Sequence, residues 1–167
     1  IMAWYVTTVE LVNMHFESNH AANYGFGVAT IYATVSYRDC TFRRCTGLDP
    51  LYGACALAAW TGWVPHIIGV RFDECNSPGG AMILMGQFEF GPVRGITIVN
   101  SHQTRENTKY AGGLTLDTNA ANITIEDLHI ENCTAIGNGG GGVLTKGKGG
   151  MVTVRRAAIR GCDASLG

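Results

Sequence analysis

Charge is scarce in this chain. Only 15% of its residues are charged and the formal net charge is -1, so it lacks the electrostatic footprint that nucleic acid or an anionic membrane surface demands. Proline is scarce as well, at 4 residues. No run of about 18 apolar residues occurs, so no membrane span is expected. No CxxC pair exists among the 6 cysteines, which gives no support to a zinc ribbon or a thioredoxin-type site. A helical 3.6-residue periodicity is missing throughout. Glycine is plentiful at 23 residues but has no three-residue period, which excludes collagen. No signal peptide is recognisable, and the chain opens on Ile1 rather than methionine. We read it as a segment of a longer protein, and residues 1–167 as one domain large enough for a sizeable core.

What the chain does have is a repeat. Ile125, Leu128, Ile130 and Cys133 follow one another at steps of three, two and three. The same steps recur in Leu11, Met14, Phe16, Asn19; in Tyr37, Cys40, Phe42, Cys45; and in Ile67, Val70, Phe72, Cys75. They return in Val93, Ile96, Ile98, Ser101 and in Val154, Ala157, Ile159, Cys162. The column Phe16, Phe42, Phe72, Ile98, Ile130, Ile159 has spacings of 26, 30, 26, 32 and 29 residues. A nearly constant period with recurring residue classes marks a repeat architecture. This column is expected to form one continuous buried stack.

A weaker repeat runs between these copies: Gly27 to Ile31, Gly53 to Leu57, Gly80 to Leu84, Gly113 to Leu116 and Gly142 to Thr145. Each coil is therefore expected to hold two short strands joined by turns, and residues 1–8 to be the tail of a preceding coil. Short strands at this density predict an all-β fold: a right-handed parallel β-helix solenoid of about six coils with a period of 26–32 residues. The Leu and Asn positions of a leucine-rich repeat are missing. The chain resembles right-handed parallel β-helix proteins of the pectate-lyase-like class. Gly79-Gly80-Ala81-Met82 and Phe16-Glu17-Ser18-Asn19 are also similar to the GGA-aliphatic and FxxN repeats of polymorphic outer-membrane autotransporter passengers. The resemblance covers roughly residues 9–162, and most copies carry Cys where FxxN has Asn.

Stacking the copies in register predicts outward columns in which vertically adjacent charges always oppose. The pairs are Glu17–Arg43, Arg43–Asp73, Arg44–Glu74, Arg94–Glu126, Glu126–Arg155, Asp127–Arg156 and Glu131–Arg160. Each is worth about 0.2–1 kcal/mol, and together they favour one register. Cys45, Cys75, Cys133 and Cys162 share one column, read as a ladder of small buried free thiols. The strand spacing of about 4.8 Å also permits disulfides between adjacent copies.

Candidate chemistry is thin. Gly137 to Gly142 matches GxGxxG and Gly142 to Lys148 resembles a P-loop, but neither opens a helix, as phosphate binding requires. Their glycines are read as tight-turn residues with positive φ. Lyases and hydrolases on a β-helix need carboxylates clustered on neighbouring coils. Here Asp73-Glu74 and Glu126-Asp127 instead face arginines, so no catalytic residue, metal ligand or cofactor is assigned. His15 and His129 share a column four coils apart, too far for a dyad.

Two features stand above this background as candidate binding elements. Trp60, Trp63, Phe88 and Phe90 are read into the equivalent turn of coils three and four, with Tyr32 one coil earlier. They would form a sugar-stacking platform, a protein interface or simply a covered barrel side. The longest turn, Ser101 to Gly113, carries His102, Arg105 and Tyr110, and is read as a binding insertion or a solvated loop. Asn122 and Asn132 open N-glycosylation sequons.

The expectation that follows is a non-enzymatic structural or adhesive module of an extracellular or cell-surface protein or filament. Its partners would be flanking coils, or neighbouring subunits stacked end to end. The alternative is a carbohydrate-active enzyme of the pectate-lyase-like type or a polysaccharide-binding module, with carbohydrate as the partner.

Overall fold

Phe16, Phe42, Phe72, Ile98, Ile130 and Ile159 stand in a single column. Parallel strands place each opposite the next with no slip. The computed structural model that shows this describes the chain except residues 6–7, 22–26, 48–53, 55, 107–108, 119–121, 137–138, 148 and 166–167. Every strand pairing is parallel and joins one repeat copy to the next, so the fold is a parallel β-solenoid.

Three sheets, not the two strands per coil expected, form its walls. The first holds Met2–Trp4, Val28–Ile31, Ala56–Val64, Met82–Phe90, Leu114–Thr118 and Val143–Lys146. These are the glycine-led repeats, and Met2–Trp4 is their first rung. The second sheet carries the Cys-ended repeat. The third is built from two- or three-residue strands that follow that repeat: His20–Ala21, Thr46–Gly47, Asn76–Ser77, His102–Gln103, Thr134–Ile136 and Asp163–Ser165. The first and last rungs have a neighbour on one side only, so about four turns are enclosed rather than the six coils expected.

The three-two-three step of the repeat has a backbone cause. Side chains alternate faces along a regular strand, so inward positions should be two apart. At positions 13 and 18 the chain passes through the left-handed region, and it does so again at 39 and 44, 69 and 74, 95 and 100, 127 and 132, and 156 and 161. The φ values run from 51° to 67°. Each such residue resets the alternation. Arg38 and Asp39 both face solvent, Cys40 and Phe42 face in, Arg43 and Arg44 face out, and Cys45 faces in again. Only three of these twelve corners are glycine, and a side chain in this region costs roughly 1–2 kcal/mol. The rung ladder offsets that cost: the Asp39 N–H donates to Ile68 O at 2.9 Å and the Arg44 N–H to Asp73 O at 2.9 Å.

Inside, the repeat positions of the inner rungs are almost fully buried. Phe16, Phe42 and Phe72 stack face to face, with centroids 4.6 and 4.8 Å apart. The expected continuous buried column holds from Phe16 to Ile130 and opens at Ile159, which is 49% exposed because no described rung lies over it.

The GxGxxG run is a packing device. Gly139, Gly141 and Gly142 do not adopt the positive φ expected of them. A Cβ on Gly139 would lie 1.9 Å from Tyr110 O, and one on Gly141 2.3 Å from Asp163 O. The backbone of the preceding rung fills the space at Gly139, and that of the following rung the space at Gly141. In the P-loop-like stretch, Gly147 and Gly149 do have positive φ.

Candidate functional site

Ion pairs of the described residues mostly join one rung to the next. Of the seven charge pairs expected, three close within 4 Å: Glu17–Arg43 at 3.9 Å, Glu126–Arg155 at 3.5 Å and Asp127–Arg156 at 2.6 Å. The other four do not. Arg44 turns back to Glu17, Asp73 takes Arg71 of its own strand at 3.2 Å, and Glu131 takes His129 at 3.1 Å. A long side chain on a twisted sheet reaches diagonal and same-strand partners as readily as the one directly opposite. Arg156 grips Asp127 with Nε and Nη2, at 2.6 and 3.1 Å. That hydrogen-bonded guanidinium holds the Asp127 carboxyl below the usual carboxylate range.

The Cys column is a ladder of free thiols among the described cysteines. Cys45 and Cys75 donate S–H to Phe16 O and Phe42 O on the preceding rung, both at 3.5 Å. Cys133 reaches Ile98 O at 3.8 Å, and burial pushes its thiol up to about 12. Ser101 takes the same place in the fourth copy, where its Oγ accepts from the Cys75 N–H at 3.3 Å.

A polar ladder that the sequence did not announce runs along the third sheet. Register sets His20, Thr46, Asn76, His102, Thr134 and Asp163 in one column. His20 contacts the Thr46 hydroxyl. His102 Nδ1 and Thr134 Oγ1 are 2.7 Å apart. His102, expected in a long binding turn, is therefore a ladder strand residue. The turn itself is tied down: the buried Gln103 side chain donates to Arg105 O and accepts the Ile136 N–H at 2.8 Å. Arg105 stays exposed and Tyr110 half-buried.

The aromatic cluster is not gathered in a turn. Trp60 and Trp63 belong to the strand Ala56–Val64, and Phe88 and Phe90 to the strand Met82–Phe90. These run side by side for nine residues, with Trp60 beside Gly86 and Phe88 beside Gly62. The side chains of Trp60, Trp63 and Phe88 lie outside the described part. Tyr32 is exposed, at φ 54°, and stacks on Tyr5 with centroids 5.1 Å apart and planes 7° from parallel. That contact spends one face of each ring on the neighbouring rung. Both sequon asparagines are exposed. Asn122 Oδ1 accepts the Met151 N–H at 2.8 Å, and Asn132 Nδ2 donates to Asn100 Oδ1 at 3.4 Å.

Among the described residues a groove of about 460 Å³ lies where the fourth and fifth rungs pass from the first sheet to the second. Phe90, Pro92 and Arg94 line it from one rung, Asn122, Thr124 and Glu126 from the next. Among the described residues no group of three or more His, Cys, Asp or Glu side chains could hold a metal ion. Compared with protein-family models, curated proteins and solved structures, the chain matches none.

Proposed function

We propose that this chain is a structural or adhesive β-solenoid module of an extracellular or cell-surface protein or filament. The observation that carries this reading is where the surface chemistry goes. Carboxylates, guanidinium groups, imidazoles and asparagine amides on the wall pair mostly with the rung above or below. Groups spent on stacking rungs are not poised for turnover. The resemblance to autotransporter passenger repeats points the same way, and buried thiols suit an oxidising exterior because oxidants do not reach them.

The partner in this reading is more of the same: further rungs of one chain, or neighbouring subunits stacked end to end. It is supported by the last rung, where Val154 and Ile159 are 43% and 49% exposed although their column mates Ile125 and Ile130 are fully buried. Open strand edges beside such a surface invite pairing. Sedimentation equilibrium on the 167-residue chain should show self-association that rises with concentration and falls in Ile159→Lys. A monomer at high concentration, with protected amides in both end rungs by hydrogen exchange, would overturn this. Turnover of any acidic or neutral polysaccharide, with or without calcium, would favour the pectate-lyase-like alternative instead.

A further inference from the structure

We infer that the groove between the fourth and fifth rungs binds a small carboxylate carried on a ring or short apolar body. Its charge balance is the starting point. Glu126 is drawn away by the sixth rung, with Arg155 at 3.5 Å and Arg156 at 3.3 Å. Arg94 sits directly beside Glu126 in register, yet its side chain makes no ion pair or hydrogen bond among the described residues. Asp127, the other carboxylate whose charge Arg94 meets, is gripped by Arg156, so among the described residues three guanidinium groups share two carboxylates here. The guanidinium fork matches a carboxylate with two parallel N–H bonds.

The other walls define the rest of the ligand. Asn122 Oδ1 is occupied by the Met151 N–H, which leaves its NH2 as a donor, and the Thr124 hydroxyl adds another. The half-buried Phe90 and the exposed Pro92 supply apolar surface. A volume of about 460 Å³ is far more than a bare anion needs and is in the range of small-molecule sites. One cation with two neutral donors suits a singly charged carboxylate better than a phosphate dianion. This site stands independently of the structural role proposed above, because it uses a face of the wall and not the ends.

The experiment titrates the full chain with benzoate and with benzamide, which has the same shape but no charge, following the Arg94 Nε resonance. Benzoate should bind saturably and benzamide about tenfold or more weaker, the size of one charge-assisted pair. Arg94→Gln should weaken benzoate by a similar factor, whereas Lys109→Gln, which removes an exposed cation elsewhere, should leave it unchanged. On the unaltered chain, added salt should weaken benzoate and spare benzamide. Absence of saturable benzoate binding, equal binding of the two probes, or undiminished binding in Arg94→Gln would each overturn the assignment.

Discussion

The rings of Phe42 and Phe72 lie 4.8 Å apart, centroid to centroid, with only 11° between their planes. Neither is exposed at all, and the Phe42 ring also meets Tyr37 of its own rung edge-on, with centroids 6.5 Å apart. Phe72→Ala should therefore cost about 3–5 kcal/mol, the range for emptying a large core site. Ile159→Ala, at the open end of the same column, should cost below about 1 kcal/mol. Urea unfolding of both variants checks the contrast. Equal losses would mean that the column is not covered where the register places it.

The register of this column was legible because burial imposes a spacing on the sequence. Leu128, Ile130 and Cys133 must all reach the interior, and a slip of one residue would turn them outward. The corners were written there too. Asn13, Asp39, Gly69, Gly95 and Asp127 form a column rich in the residue types that tolerate positive φ, set inside a step of three that no regular strand can make. The third sheet was hidden because its strands are two or three residues long and outwardly polar, as at Thr46 and Asn76, so periodicity has nothing to count. Individual ion pairs were only partly legible. Opposite signs set which pairs are allowed, but side-chain reach decides whether Glu131 meets Arg160 or His129.

The corners can be tested directly. Glu74 sits at φ 54° with a full side chain. Replacing it by glycine removes a strain of roughly 1–2 kcal/mol and adds roughly 0.5–1 kcal/mol of chain entropy to be lost on folding. Glu74→Gly should raise stability by about 0.5–1 kcal/mol in urea melts. Gly69→Ala should do the opposite, losing about 1–2 kcal/mol, because φ is +64° and the new Cβ would meet Asp39 Oδ1 at 2.4 Å. A stabilising Gly69→Ala would contradict the left-handed corner.

Asp127 provides a pH signature. Its folded pKa lies below the ordinary carboxyl value because Arg156 hydrogen-bonds the ionised form. The stabilisation from that pair is then fully present above the unfolded carboxyl pKa and is lost as pH falls through the lower folded value. Carboxyl-carbon NMR titration should find Asp127 titrating below the usual carboxylate range. Arg156→Gln should return it toward that range. An Asp127 that titrates normally in the unaltered chain would show that the grip seen between these side chains does not persist in solution.

The thiol ladder supplies a probe of how tightly the rungs close. Cys133 is fully buried, and burial holds its thiol at about 12, so almost no thiolate is present at pH ~8 and alkylating reagents cannot reach it. Cys162, one rung later in the same column, is only partly covered. With a maleimide or iodoacetamide, site-resolved mass spectrometry should find Cys162 modified first. Cys133, Cys75 and Cys45 should react only as fast as the rungs open. In denaturant the four should react at similar rates, since the difference belongs to the folded wall and not to the local sequence. Native Cys133 modified as fast as Cys162 would mean that the final rung does not stay seated on the one before it.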